Sequence, residues 1–165
     1  MQLSAYGIST DLLPGWEGRI TKRAEPAVAA SGAPTARAKG TFGEVPNPVV
    51  HLANFALPEQ RGDFGSGAVE LMGIGHLFLC LFEYGTASVG QPLFARHGIP
   101  TDLVPSQFSA NGLQRALPGQ AGTQAWFTQS GRAFCLYAVI GRRQDAPSLV
   151  PVANLALTAT TIEPR

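Results

Sequence analysis

The stretch Ala133-Phe-Cys-Leu-Tyr-Ala-Val-Ile140 decides the fold, because an unbroken apolar run of this length predicts a strand that is buried on both faces. A polar turn, Gly141–Pro147, follows it. The next segment, Ser148-Leu-Val-Pro-Val-Ala-Asn-Leu-Ala-Leu157, is apolar at helical spacing, and Thr158–Glu163 is a short β-prone end. Strand, helix and strand in this order predict a compact core of mixed helix and sheet. They indicate no chemistry.

The predicted C-terminal helix has a start signal and an apolar stripe. Ser148 can cap its N-terminus, and Pro151 is tolerated if it falls in the first turn. The residues at positions i, i+3, i+4 and i+7 that can lie on the sheet are Leu149, Val152, Ala153 and Ala156. Leu155 flanks this stripe, so we expect it to be buried with the strand residues Leu79, Leu81, Phe134, Leu136 and Val139.

The remaining strands are predicted from apolar or alternating segments. These segments are Leu3–Ser9, Trp16–Arg23, Val49–Leu57, His76–Tyr84 and Gln124–Thr128. Short turns and loops join most of them, and few helices intervene. The chain is therefore predicted to be a single α+β domain over residues 1–165, a mostly antiparallel sheet with a C-terminal helix packed on one face.

One segment differs in composition from the rest. Residues 24 to about 48 are rich in Ala, Pro and Gly, and they contain almost no large side chain to bury. The 23 residues before this segment are too few to form a domain. We therefore expect a flexible excursion from one domain rather than a linker between two.

The order of these segments resembles that of a known family. Trp16-Glu-Gly-Arg-Ile20, Val50-His-Leu-Ala-Asn-Phe55 and Phe78-Leu-Cys-Leu-Phe-Glu-Tyr84 are followed by Gly131–Gly141 and Val152–Ile162. This succession looks like the PsbP-like group of small antiparallel-sheet sandwiches. The resemblance is one of architecture, and it does not cover residues 24–48 or 86–122. It implies an accessory or binding module and transfers no catalytic residue.

Composition limits the partners. The net charge is +1, which provides no field to gather nucleic acid or anionic lipid. Charged residues make up 14% of the chain, against a typical value of about 25%, and a surface with few charges is common where proteins pack together. The N-terminus lacks the basic start and apolar block of a targeting segment. The expected location is therefore cytoplasmic, or in a particle assembled there.

The reactive residue types form no recognisable site. His51, His76 and His97 lie in separate segments without metal-ligand spacing. Cys80 and Cys135 each fall in a predicted buried strand, which favours core thiols, although a disulfide between neighbouring strands is left open. The glycine-rich loop Gly62–Gly67 could bind phosphate or serve as a tight turn. Glu83 should meet an arginine or a backbone donor at the sheet edge. We therefore expect no catalytic residue, no metal and no cofactor.

The best recognition candidates are aromatic and basic residues near flexible segments. Trp126 and Phe127 follow a flexible loop and could anchor an interface, although both rings could instead fill the core. Phe42, Arg37 and Lys39 are further candidates in the excursion. The sequence favours a non-catalytic binding or structural module, an accessory subunit of a larger assembly such as a phage-tail-like particle, homo- or hetero-oligomeric. The alternative is an enzyme or small-ligand carrier with a pocket between the sheet and the 86–122 loops.

Overall fold

The computed structural model describes residues 1–23 and 47–165. Its strands and single long helix are β1 (Gln2–Ala5), β2 (Ile8–Asp11), β3 (Glu17–Lys22), β4 (Pro48–Ala53), β5 (Leu77–Glu83), β6 (Ala121–Gln129), β7 (Arg132–Ile140), α1 (Ala146–Thr158) and β8 (Thr160–Ile162). Short 3₁₀ turns lie at Val69–Leu71, Thr86–Ser88, Pro92–Phe94, Pro105–Gln107, Ala110–Gly112 and Arg143–Asp145.

The described strands form two antiparallel sheets. The larger has the order β3-β4-β5-β7-β6, and the smaller has the order β1-β2-β8. The helix α1 contacts β5, β7 and β8. This arrangement confirms the α+β class predicted from the sequence, a mainly antiparallel protein with a C-terminal helix on one face.

The two most apolar strands lie side by side near the middle of the larger sheet. Leu81 of β5 pairs with Leu136 of β7, and Phe78 pairs with Val139. Every residue of both strands is buried. The prediction of two-sided burial is therefore confirmed for these strands, including Leu79 and Phe134.

One face of this sheet, the helix side, is covered by α1 and the smaller sheet. The buried positions of α1 are Ala146, Val150, Ala153, Ala156 and Leu157. The helix begins at Ala146, two residues earlier than predicted, after an N-cap at Asp145. Ser148 is therefore not the cap, and its hydroxyl instead donates to the Asp145 carbonyl at 2.9 Å.

The earlier start also corrects two other predictions for the helix. Pro151 lies inside α1, beyond the first turn. Leu155 is 61% exposed, so the prediction that it is buried is wrong. Steps of 100° per residue place Leu155 opposite the buried line Ala146–Val150–Ala153–Leu157. Because apolar residues lie on every side of this helix, hydrophobic periodicity alone could not determine which side faces the sheet.

The other face, the loop side, is covered by irregular segments rather than by a helix. Phe55, Phe64, Met72 and Leu113 pack on a buried cluster whose members include Phe78, Cys80 and Tyr137. Gly65 approaches the Phe78 ring so closely that a side chain there would collide with it, and its φ of +85° is also one that glycine tolerates best.

Two strand predictions require correction, and one turn is confirmed. Leu3–Ser9 is a hairpin rather than one edge strand, because Tyr6 (φ 55°) and Gly7 (φ 72°) turn the chain between β1 and β2. β4 ends at Ala53 rather than near Leu57. The predicted turn at Ser130-Gly131 joins β6 to β7, and both residues have positive φ.

Candidate functional site

The two aromatic recognition candidates lie on opposite faces of β6. Phe127 is fully buried on the helix side, and its ring stacks on Phe134 with centroids 5.5 Å apart. Trp126 is half-buried and packs against the loop-side cluster. Phe127 therefore has no ring surface for a partner, whereas Trp126 keeps part of its surface exposed. The candidates Arg37, Lys39 and Phe42 lie outside the described residues, as does the excursion apart from Asn47 and Pro48.

The expected partner of Glu83 is Arg132. Both side chains are 3% exposed, and Arg132 Nη2 lies 2.7 Å from Glu83 Oε2. The same guanidinium donates to the carbonyls of Tyr6 and Glu163, which belong to the smaller sheet or its ends. Arg165 approaches Glu83 Oε1 at 3.1 Å. Arg132 therefore bonds both to Glu83 of the larger sheet and to carbonyls at the ends of strands in the smaller sheet. Through these bonds the cluster joins the two sheets.

A second polar cluster lies on the loop side around His51. Arg61 Nε lies 3.1 Å from His51 Nδ1. A guanidinium can only donate, so Nδ1 accepts and the ring proton belongs on Nε2, which donates to the Asp63 carbonyl at 2.7 Å. Burial lowers the pKa of His51, and the charge of Arg61 contributes in the same direction. The neutral imidazole therefore holds the loop that contains Arg61 and Asp63 against the sheet through two hydrogen bonds.

Both cysteines are free and buried. The Cys80 thiol donates to the Asp63 carbonyl at 3.2 Å, the same carbonyl that His51 contacts, so it also holds this loop. Burial raises the pKa of Cys80 well above its ordinary value and raises that of Cys135 to about 12. Neither group supplies a thiolate near neutral pH, which a cysteine nucleophile requires.

One backbone donor of the glycine-rich loop is taken by a carboxylate of the turn that follows it. The amide of Gly67, which an anion would approach, donates to the Glu70 carboxylate at 2.6 Å. The 3₁₀ turn that follows has only three residues. Within residues 1–23 and 47–165, no three His, Cys, Asp or Glu residues come together as a group that could hold a metal ion.

The segment that sequence reasoning missed is the loop just before β5. Leu71 and Ile74 are 62% and 69% exposed, and these are among the largest exposed fractions of the apolar residues. The backbone between them and β5 is firmly held: Asn54 Nδ2 donates to the Gly75 carbonyl at 2.8 Å, and the Gly75 amide donates to Asp145 Oδ2 at 2.8 Å. We call Leu71, Ile74 and the neighbouring exposed Arg142 and Arg143 the loop patch.

The patch is built from two segments in close backbone contact. A side chain at Gly141 would collide with the Gly73 carbonyl, so the two backbones touch there. The Gly141 amide also donates to the His76 carbonyl at 3.0 Å. The only sequence signal for this surface was the short run of apolar residues and glycines, Leu71-Met-Gly-Ile-Gly75.

A depression of about 420 Å³ that is open to the surface, which we call the cavity, lies at the other end of α1. It is lined by Ile99, Thr101, Gln129, Leu157, Thr158, Thr160, Thr161 and Ile162. None of these side chains is charged. The cavity lies between β8, the end of β6 and one of the 86–122 loops, which is part of the region where the sequence suggested a pocket.

No protein-family model, curated protein sequence or solved structure matches this chain. In the part of the chain that the structure describes, α1 is 13 residues long, and no helix is long and apolar enough to cross a membrane.

Proposed function

We propose that this chain is a non-catalytic protein-binding module, an accessory or structural subunit of a larger protein assembly, and that the loop patch is a contact surface. One observation carries the proposal: two large apolar side chains are exposed on a loop whose backbone is held by side-chain hydrogen bonds at Gly73 and Gly75. A single exposed apolar residue is ordinary on a protein surface, whereas two of them on one rigid loop are more typical of an interaction site.

Rigidity matters because association must offset the loss of conformational freedom. Leu71 and Ile74 are separated by only two residues, on a backbone held by Asn54, Asp145 and His76. Little loop entropy is left to lose when a partner covers them. Arg142 and Arg143 are exposed on the segment whose backbone touches this loop at Gly141, so polar residues adjoin the apolar pair, as at the rim of a protein interface.

The central experiment compares the unchanged chain with Leu71→Ser/Ile74→Ser in the cells that make it. We expect the unchanged chain to elute from size exclusion as part of a larger complex and the variant to elute as the isolated chain. Because both side chains are exposed, the variant should keep its melting temperature within a few degrees, which corresponds to a change of about 0.5 kcal/mol in the free energy of unfolding.

A photo-crosslinking residue at position 74 identifies the contact directly. We expect a discrete adduct with another protein chain, and none from the same probe at the exposed control position Thr21. A native chain that elutes alone, or equal adducts from both positions, would contradict the proposal.

A further inference from the structure

The smaller sheet has an open edge at β8. In the order β1-β2-β8, β8 pairs with β2 on one side, and no described strand pairs with its other side. The register joins Ser9 to Thr161 and Ile8 to Ile162. In antiparallel pairs, alternate residues exchange backbone hydrogen bonds, so the intervening residues direct their N–H and C=O groups away from the partner strand.

Two backbone hydrogen bonds determine which residues of β8 face outward. The Glu163 amide donates to the Gly7 carbonyl at 2.8 Å, and the Asp11 amide donates to the Ala159 carbonyl at 3.1 Å. Odd-numbered residues therefore bond to β2. The backbone groups of Thr160 and Ile162 face the open edge, where the Ser130 hydroxyl already donates to the Ile162 carbonyl at 2.7 Å.

The cavity of about 420 Å³ lies along this same edge. Gln129, which precedes Ser130, lines it together with Thr101 and Ile99. Its volume falls within the range of about 300–1,000 Å³ typical of ligand sites. At about 3.3 Å per residue, a strand three to four residues long would run the length of β8.

The lining also restricts the chemistry of the occupant. The side chains are threonines, one glutamine and aliphatic residues, so a buried charge would find no counter-charge among them. The backbone donors and acceptor of Thr160 and Ile162 repeat every second residue, and an extended peptide backbone matches that spacing.

We propose that the open edge of β8 and the cavity beside it bind an extended, uncharged segment of a partner protein, which adds to the smaller sheet as a fourth strand. This site is separate from the loop patch, because the cavity includes the C-terminal end of α1 while the patch adjoins its N-terminal end. A helix of 13 residues spans about 20 Å.

The test uses the purified full chain, labelled with ¹⁵N, and the capped peptide acetyl-Ser-Thr-Val-Thr-Ser-amide. We expect saturable shifts of the Thr160 and Ile162 amide resonances. A peptide N-methylated at every residue is the sharpest control, because it offers no backbone N–H along either edge in any register. It should lose affinity by about tenfold or more.

Variants of the protein localise the contact. Thr101→Trp should fill the cavity and weaken binding by about tenfold, whereas Thr21→Trp, exposed on β3, should bind as the unchanged chain does. Circular dichroism melting of both variants checks their folding. Leu71→Ser/Ile74→Ser should bind the peptide normally, which separates this site from the proposed function of the loop patch.

Three outcomes would overturn the proposal. The first is no amide shift with the uncharged peptide at millimolar concentration. The second is equal binding by the N-methylated and the unmodified peptide, which would mean that side chains rather than backbone groups make the contact. The third is stronger binding by the same peptide with lysine or aspartate in place of its serines.

Discussion

The two faces of the larger sheet are buried by different means. On the helix side, α1 and the smaller sheet bury an apolar cluster, and the Glu83–Arg132 pair joins the sheets at one edge. On the loop side, irregular segments bury a second cluster and are held by polar side chains, among them His51 and Asn54. Regular elements can bury a face through their periodicity, whereas loops need individual hydrogen bonds to hold them in place.

The largest expected effect concerns the charged pair on the helix side. Among the described residues, Arg132→Met leaves the buried Glu83 carboxylate with Arg165 as its one remaining ion-pair partner. It also removes the donor to the Tyr6 and Glu163 carbonyls. Removing one member of a buried ion pair generally costs about 3–5 kcal/mol. We expect Arg132→Met to lower the free energy of unfolding, measured by urea denaturation, by an amount in this range.

The matched control removes the charge of both members. Because Glu83→Leu/Arg132→Met leaves no unpaired buried carboxylate, we expect it to recover part of that loss. If Arg132→Met alone costs less than about 1 kcal/mol, the pair does not join the two sheets in the way described here.

The second prediction contrasts two leucines of α1. Leu157 is fully buried and Leu155 is 61% exposed. Leu157→Ala should lower the free energy of unfolding by about 2–5 kcal/mol, because it leaves a cavity against the sheet. Leu155→Ala should change it by no more than about 0.5 kcal/mol. Equal losses in urea denaturation would mean that α1 is rotated from the orientation described above.

This pair of leucines also indicates how far the sequence alone could lead. The strands β5 and β7 were predictable because burial on both faces leaves a continuous apolar run. The orientation of α1 was not, because the sequence from Ala146 to Thr158 contains no charged residue to mark an outer face. An uncharged helix gives periodicity too little contrast to separate Leu155 from Leu157.

The loop side was less predictable for a related physical reason. For Glu83, on the helix side, the sequence could predict an arginine or a backbone donor as its partner, because a charge at the end of a buried strand requires one. Nothing near Asn54 in the sequence indicates that its side chain accepts from the Leu77 amide and donates to the Gly75 carbonyl. The loop patch and the open edge of β8 both depend on such contacts between distant residues, so they emerge only from the folded arrangement.

The smallest expected effect is a pH dependence on the loop side. The pKa of His51 is lowered in the folded chain from its ordinary value of 6.5, chiefly by burial. The unfolded chain therefore binds a proton at a pH where the folded chain does not. The stability contributed by neutral His51 is complete above pH 6.5 and declines as the pH falls below that value. Protonation would also place an N–H on Nδ1, directly against the Arg61 guanidinium.

The loop containing Arg61 and Asp63 should therefore open before the helix side is affected. Hydrogen exchange from pH 7.5 to 5 should quicken at the amides of residues 62–68, after correction for intrinsic rates, while β7 stays protected. The control is His76→Gln, since His76 is the other loop-side histidine and its Nδ1 accepts from the Gly73 amide. The effect belongs to His51 if hydrogen exchange at residues 62–68 still rises with falling pH in His76→Gln but no longer does so in His51→Gln. Unchanged exchange in the unmodified chain over this range would show that the loop side does not depend on the neutral imidazole.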